Sequence, residues 1–326
     1  MKLLSPVSSL SSAAAQIKAG SDEIYVGLKT DIYKRYSFSG RGQCSKSYRS
    51  IVAHENELKD IVNLAHDSGV DVSFVANTPI FSDLLDENNW HSKEFMQHID
   101  SAIQCQVDNI IVGDIGLLCK VGQTNPPAKL HASTFLDTMN IEQLMLLKDL
   151  GATRSILTYQ VSLQEIELLC RSAIMEIEVF GYLGCSFFNG ACNLMHEMGE
   201  VTKDEDILIG VPCKAEYKVW GDGTEEELTP FFDAELGCAL CSLFTLNKIG
   251  VDVIKIAGRD RDYEKIAKVT KLFKSAIGLA KTSCTENNYL SNLGKFIPEG
   301  WKRVWCSGKR CKYRKNAITD SYIGAQ

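Results

Sequence analysis

The sequence lacks three features that would place the protein in common functional classes. No apolar run approaches the roughly twenty residues that a membrane-spanning helix requires. Acidic residues outnumber lysine and arginine, 41 to 35, and the net charge of −6 gives no overall basic field for nucleic acid. The apolar run of MKLLSPVSSL ends at Pro6 and is too short for the core of a signal peptide. We therefore expect a cytoplasmic protein with no membrane span.

Familiar hydrolase and nucleotide-binding motifs are also missing. His54-Glu55 and His196-Glu197 lack the second histidine of H-E-x-x-H, and there is no G-x-S-x-G elbow. Walker and dinucleotide fingerprints are absent as well. A thiol nucleophile made by Cys185 with His196 would have no evident third group to orient it.

What is present is a regular alternation of short β-branched runs with stretches of helical periodicity. This alternation predicts a parallel sheet with right-handed crossovers, and eight strands favour a TIM-like (β/α)8 barrel. The predicted strands cover residues 2–6, 23–27, 71–77, 109–114, 129–134, 155–159, 176–182 and 252–258.

Two segments interrupt the alternation, and a third follows it. Residues 28–50 form a long polar loop, and residues 183–237 form a cysteine-bearing insertion between strands 7 and 8. Loops that follow barrel strands lie at the C-terminal mouth, where catalytic sites are found. We assign residues 1–282 to the barrel and residues 283–326 to a basic, aromatic C-terminal extension.

Cysteine is abundant, with twelve residues in a chain that has no export signal. Such cysteines bind metals or carry out chemistry more often than they form disulfides. Four in or next to the insertion, Cys185, Cys192, Cys213 and Cys238, can supply thiolates to an iron–sulfur cluster or a structural zinc. The C-x6-C spacing leaves iron–sulfur, zinc and free thiols open, and Cys241 is an alternative fourth ligand.

Three other cysteines have apolar settings in predicted helices or strands. We interpret Cys105, Cys119 and Cys170 as small buried hydrophobic residues.

Several segments resemble peptidase family U32. They are SPVSSLSSAAAQIKAGSDEIYVGLK, FVANTPIF, NIIVGDIGLL, LHASTFLDTMNIEQLMLLKDLGATRSIL and GVDVIKIAGRDRDYEKIAKVTKLFKSAI, and the similarity covers about residues 1–280. The resemblance implies a 4Fe–4S cluster held by Cys185, Cys192, Cys213 and Cys238. Counting back from Lys255 favours Cys238 over Cys241. We expect Cys238 to begin a helix, with Cys241 one turn deeper.

The chain departs from the family pattern at some positions. The usual Ile-Glu-Gly-Arg reads Ile256-Ala257-Gly258-Arg259, so a carboxylate is missing at the predicted mouth. The loop at 30–50, with Cys44, and the tail after residue 282 match nothing in the family.

The resemblance implies oxygen-independent hydroxylation or modification of an RNA base or a small aromatic, quinone-like substrate, with a small-molecule oxygen donor. Two alternatives remain. One is a peptidase or other hydrolase, as the family name says. The other is a non-catalytic, cluster-bearing subunit of a heteromeric complex. A protein partner, in a heterodimer or a homodimer, is expected on the same basis.

Five polar residues at predicted strand ends are candidates for catalysis. His131 can move protons near neutral pH, and Asn77 and Asp114 end neighbouring strands. Lys255 and Arg259 would suit an anionic substrate or a phosphate. The structural alternatives are a hydrogen-bonded, half-buried histidine and a salt bridge that closes the barrel.

The tail offers a further candidate. Residues 301–315 combine basic residues with Trp301, Trp305 and Tyr313, a composition that suits single-stranded RNA. Alternatively, these aromatic residues pack on the barrel. Cys306 and Cys311, with Cys284 or Cys44, are candidates for a second metal site.

Overall fold

Eight parallel strands close into a barrel in the computed structural model, which describes residues 1–28, 54–77, 90–184, 217–219, 227–229, 237–259, 261–306 and 310–313. The barrel strands are β1 (Lys2–Pro6), β2 (Glu23–Val26), β3 (Asp71–Val75), β4 (Asn109–Val112), β5 (Lys129–Ala132), β6 (Ala152–Ile156), β7 (Glu176–Tyr182) and β10 (Val253–Ile256). Their order is β1-β10-β7-β6-β5-β4-β3-β2, and every neighbouring pair is parallel. The predicted (β/α)8 barrel is therefore confirmed.

Helices surround the barrel. They are α1 (Leu10–Lys18), α2 (Glu55–Asp67), α3 (Trp90–Gln104), α4 (Ile115–Gln123), α5 (Ile141–Asp149), α6 (Leu163–Arg171), α7 (Leu243–Ile249), α8 (Tyr263–Thr282), α9 (Glu286–Phe296) and the short α10 (Glu299–Trp301). Side-chain caps begin several of them, and the hydroxyl of Ser162 accepts from the backbone N–H of Glu165 in a capping box at α6. Within the described ranges, no helix is long and apolar enough to cross a membrane.

The alternation of side chains along each strand separates two cores. Leu3 faces outward and packs in the layer between strands and helices, whereas Leu4 faces the barrel interior. The interior cluster also contains Tyr25, Phe180 and Tyr159. This two-sided burial explains why the strands are continuous apolar runs in the sequence.

The insertion between β7 and β10 is described only in part. Two short antiparallel strands, β8 (Tyr217–Val219) and β9 (Glu227–Thr229), pair with each other. Most of the insertion and residues 29–50 lie outside the described residues.

The C-terminal extension contains a helix that the sequence pattern did not predict. Helix α9 packs against the barrel through Tyr289, which is fully buried and donates a hydrogen bond from its hydroxyl to the carbonyl of Leu240, 2.6 Å away. Helix α8 ends at Thr282, but the division into two domains at that point stays a prediction.

The tail tryptophans pack on the barrel. Trp301 and Trp305 stack on each other with their ring centroids 5.4 Å apart, and both lie against Tyr182 at the end of β7. Trp305 is buried. The two tryptophans therefore pack on the barrel, as the structural alternative expected, and RNA binding through residues 301–315 stays a prediction.

Candidate active site at the barrel mouth

A buried ion network crosses the barrel interior. Arg154 on β6 donates to both carboxylate oxygens of Glu23 at 2.9 Å and to Glu178 at 3.2 Å. Lys255 on β10 donates to the other oxygen of Glu178 at 2.9 Å. Both carboxylates are fully buried. Sequence reasoning missed this network, although charged residues inside otherwise apolar strands were its visible signal.

The environment shifts the pKa values of this network. Burial raises the pKa of Glu23, although Arg154 works in the opposite direction. Burial acts to lower the pKa of Arg154, but the surrounding carboxylates, Glu178 foremost, raise it above its ordinary value. The pairing of two buried cations with two buried carboxylates keeps the interior close to neutral.

His131 faces this interior from β5 and is fully buried. Among the described residues, neither of its ring nitrogens has a hydrogen-bond partner. Burial, and then the charges of Arg154 and Lys255, hold its pKa well below the ordinary value. The imidazole is therefore neutral at physiological pH, with one N–H donor and one acceptor nitrogen.

Asn77 and Ser133 meet at the C-terminal ends of β3 and β5, as the barrel prediction implied for Asn77. The amide of Asn77 donates to the hydroxyl of Ser133 at 3.0 Å. A Cβ added at Gly113 would lie 2.6 Å from the amide oxygen of Asn77, so glycine there leaves room for this side chain. Asp114, in contrast, accepts from the backbone N–H of Leu117 and caps α4. A catalytic role for Asp114 stays a prediction.

Lys255 and Arg259 lie at the mouth on aromatic rings. The ammonium of Lys255 is 4.4 Å from the centroid of the Tyr25 ring, and the guanidinium carbon of Arg259 is 5.1 Å from the same centroid. Both cations are buried, at 7% and 9% exposure. Lys255 also makes the salt bridge with Glu178. The sequence allowed this lysine to be either a cation that faces an anionic ligand or part of a structural ion pair, and its position is compatible with both.

Lys312 joins this group from the C-terminal tail, and no sequence pattern predicted its position there. Its ammonium lies 4.1 Å from the ring centroid of Tyr159, 4.8 Å from that of Tyr313 and 5.2 Å from that of Phe180. It donates to the carbonyl of Phe180 at 3.2 Å. Burial lowers its pKa well below the ordinary value for lysine.

The predicted cluster ligands are described only at Cys238, because Cys185, Cys192 and Cys213 lie outside the described residues. Cys238 does not begin a helix, as we had expected. It forms isolated β-bridges with Tyr182 and Cys311, and the nearest helical turn starts at Leu240. The strand-like backbone arises because the tail segment pairs here, a long-range contact that local periodicity does not reveal.

Four thiols are neighbours at this point: those of Cys238, Cys241, Cys306 and Cys311. Burial raises the pKa of Cys238 to about 12. The hydrogen bond with Cys311, followed by burial, raises the pKa of Cys241. As these side chains are placed, no group of three or more His, Cys, Asp or Glu residues in the described part of the chain could hold a metal ion.

Cys105 is buried, as expected for a small hydrophobic residue, whereas Cys119 and Cys170 are half-buried and Cys284 is exposed. Cys44 is outside the described residues.

Two glycines bring separate backbone segments onto the ring of Tyr159. A Cβ at Gly184 would lie 2.1 Å from the ring, and one at Gly237 would lie 1.8 Å from its hydroxyl oxygen. The backbone N–H of Leu183 donates to the carbonyl of Gly237 at 2.8 Å. Each glycine directly precedes a predicted cluster ligand, Cys185 and Cys238 respectively.

The sequence model of peptidase family U32 matches residues 8–316, nearly the whole chain. The chain belongs to this family. The resemblance noted in the sequence is therefore confirmed. The expectation that the loop at 30–50 and the tail after residue 282 lie outside the family pattern is wrong, because the match runs through both to residue 316.

Three relatives in the family have informative names. The chain is 26% identical over 285 residues to the 23S rRNA 5-hydroxycytidine C2501 synthase of Escherichia coli (strain K12), covering 85% of this chain and 39% of the synthase. It is 24% identical over 327 residues to the tRNA hydroxylation protein P of the same organism, covering 85% of this chain and 67% of that protein. It is 22% identical over 307 residues to a collagenase of Porphyromonas gingivalis (strain ATCC BAA-308 / W83), covering 85% and 65%. This U32 chain thus spans 39% to 67% of the length of these relatives.

Proposed function

We propose that this U32 protein takes part in oxygen-independent hydroxylation, or a related modification, of an RNA base. The observation that carries the proposal is the similarity of the chain to an rRNA 5-hydroxycytidine synthase and to tRNA hydroxylation proteins over most of its length. The reaction would occur at the C-terminal mouth of the barrel, where barrel enzymes place their catalytic groups. A small aromatic or quinone-like substrate is the alternative outcome.

The proposal includes a 4Fe–4S cluster held by Cys185, Cys192, Cys213 and Cys238. The chemistry at the described end of this set suits such a group. The thiol of Cys238 is buried beside the mouth. The backbone at Gly184 and at Gly237 lies close to the ring of Tyr159, and these glycines directly precede Cys185 and Cys238 in the sequence. When bound, the cluster would supply a redox-active iron centre to the site.

The chain's own residues would bind and orient the substrate. Lys255 and Arg259 present fixed positive charge toward the mouth, and Tyr25 and Phe180 line the interior below it. His131 is neutral and buried, so its ring would offer one N–H donor and one acceptor nitrogen to orient a polar group of the substrate. Asn77, held by Ser133, supplies an oriented amide.

The cluster can be tested by anaerobic purification. We expect a brown protein with about four irons per chain. Cys185→Ala and Cys213→Ala should lose the iron and the colour, and so should Cys238→Ser. The control variants Cys105→Ala and Cys241→Ser should keep both. A colourless protein that contains zinc and no iron after anaerobic reconstitution would contradict the cluster.

The substrate can be tested in a deletion strain. Nucleosides from its tRNA and rRNA, analysed by mass spectrometry, should lack one species that is heavier than its parent nucleoside by one oxygen atom. The wild-type gene should restore that species, and the Cys185→Ala gene should not. An unchanged set of nucleosides together with a missing quinone intermediate would move the proposal to the alternative substrate.

Two other functions are possible outcomes of these tests. A peptidase is suggested by the name of the Porphyromonas relative, and it would be favoured if peptide cleavage survived loss of Cys185 and of the metal. A non-catalytic subunit would be favoured if the metal-loaded chain were stable only with another protein.

A further inference from the structure

Basic side chains gather on the mouth side of the interior ion network. Within that network, Glu23, Glu176 and Glu178 pair with Arg154 and Lys255. Arg259 and Lys312 then add two further cations on the mouth side. The ligand of this region is therefore expected to carry negative charge.

Lys312 is the group that points most clearly to a ligand. The residue as a whole is half-buried, but its ammonium lies inside, against three rings. In the part of the chain that the structure describes, its one hydrogen-bond acceptor is the carbonyl of Phe180. An ammonium has three N–H donors, and a buried cation without a carboxylate is costly. Ring faces offset only part of that cost.

Shared rings hold the cations in one group. Lys255 and Lys312 both lie on the ring of Phe180, at 6.0 and 5.2 Å from its centroid. Lys255 and Arg259 share the ring of Tyr25. Lys255 thus shares one aromatic ring with Lys312 and another with Arg259.

His131 supplies an independent observation. Its ring is fully buried and faces the same interior, and neither nitrogen has a hydrogen-bond partner within the part of the chain that the structure describes. Buried polar atoms are almost always satisfied, so an unpartnered ring aimed into a group of cations indicates a ligand with oxygen atoms. Among charged residues, Arg154 and Lys255 lower the pKa of His131 the most.

The strands that carry or contact these basic residues indicate which kind of anion would bind to them. Lys255 and Arg259 belong to the last barrel strand and its loop, and Lys312 contacts the preceding barrel strand at Phe180. Barrels of this type frequently bind phosphate at the loops after their seventh and eighth strands.

We infer that Lys312, Lys255 and Arg259 form a phosphate-binding site at the mouth, which the C-terminal tail completes. Its ligand is a phosphate-bearing molecule of nucleotide size, and the neighbouring rings contact the base or another flat part. The inference rests on the proposed function only in placing the chemistry at this mouth.

The test is isothermal titration of the full-length, anaerobically purified protein with inorganic phosphate, cytidine 5′-monophosphate and cytidine. We expect the nucleotide to bind, phosphate to compete with it, and cytidine to bind on the order of tenfold more weakly because it lacks the charged group. Equal binding of cytidine and its monophosphate, or no binding of phosphate and nucleotide at millimolar concentrations, would overturn the inference.

Variants locate the site. Lys312→Met should weaken nucleotide binding on the order of tenfold, and Lys312→Arg should restore part of it. Lys302→Met is the matched control, since Lys302 lies in the same tail but pairs with Glu299 at 2.6 Å, and it should bind as the wild type does. Arg259→Gln provides a second loss if Lys312→Met does not fold. Unchanged binding in a folded Lys312→Met protein would overturn the role of the tail.

The outcome is separable from that of the proposed function. A chain that binds nucleotide but leaves the RNA nucleosides of the deletion strain unchanged would keep this inference and lose the proposed function. A chain that modifies RNA but binds neither phosphate nor nucleotide would lose this inference alone.

Discussion

At the scale of the residue, each buried charge of the ion network inside the barrel is stabilised by a partner of opposite charge. Glu178 is fully buried and accepts from both Arg154 and Lys255. Replacing it by glutamine removes the negative charge and leaves two buried cations with weakened compensation. We expect Glu178→Gln to lower the free energy of unfolding by about 3–5 kcal/mol, measured by urea denaturation.

A matched exposed pair serves as the control. Lys2 and Asp71 form a salt bridge at 3.0 Å, but half of the Lys2 side chain and 46% of that of Asp71 are exposed. Lys2→Met should therefore change the free energy of unfolding by less than about 1 kcal/mol. Similar losses in the two variants would mean that burial does not determine the strength of the central network.

Burial of His98 makes the free energy of unfolding depend on pH. His98 on α3 is buried against the ring of Phe74, and burial lowers its pKa from 6.5 to about 3. Between these values the unfolded chain binds a proton that the folded chain does not. The free energy of unfolding should therefore fall as the pH is lowered from 7 to 5, with a slope of at most about 1.4 kcal/mol per pH unit from this group.

Removing the titrating ring should reduce that slope. His98→Leu keeps an apolar side chain at the position, and urea midpoints measured at several pH values give the comparison. An equal or steeper slope in His98→Leu would show that the acid sensitivity arises elsewhere, with His131 the next residue to examine because its pKa is also lowered.

Some residues of the candidate site could be predicted from the sequence and others could not. Lys255, Arg259, Asn77 and His131 were identified because the ends of parallel barrel strands share one mouth. Lys312 was missed because its place depends on pairing between Cys238 and Cys311, which are 73 positions apart in the chain. No local pattern of hydrophobicity encodes a contact of that kind.

At the scale of the element, two glycines show how the effect of an added methyl group on stability depends on the space around it. Gly278 lies in the interior of α8, and a Cβ there would meet no atom within 4 Å. Gly184 follows β7, and its Cβ would lie 2.1 Å from the ring of Tyr159. Gly278→Ala should raise the free energy of unfolding by about 0.5–1 kcal/mol, and Gly184→Ala should lower it by about 1–3 kcal/mol.

Thermal and urea denaturation of the two alanine variants would check both signs. If Gly184→Ala proved as stable as the wild type, the ring of Tyr159 would have another position available, and the close approach at the mouth would not be required. Metal content measured on the same samples would show whether that approach also matters for the proposed cluster.

Elements were predicted more reliably in the barrel than after it. The barrel strands carry β-branched apolar runs that signal burial on both faces. Helix α9 was missed because polar residues outnumber apolar ones in it, and Tyr289 and Leu293 are its buried apolar side chains. The strand predicted at 155–159 begins earlier, at Ala152, because the polar Thr153 and Arg154 conceal its start.

For the whole molecule, closure joins distant parts of the chain. Strand β1 pairs with β2 on one side and with β10 on the other, so Lys2 lies opposite Val253. The hydroxyls of Ser5 and Thr270, which are 265 positions apart, are also hydrogen-bonded at 3.2 Å. Sequence alternation predicted the number of strands, and the closed topology then followed from right-handed crossovers.

This closure has a consequence for synthesis on the ribosome. Strand β1 emerges first, yet its second neighbour is made some 250 residues later. Until then the edge of β1 that will pair with β10 stays open, and such edges favour association with other chains. Lys312 is made later still, so the nascent chain would close its barrel before it could bind nucleotide. Ligand added during translation should therefore protect only those chains in which the segment around Lys312 has already left the ribosome.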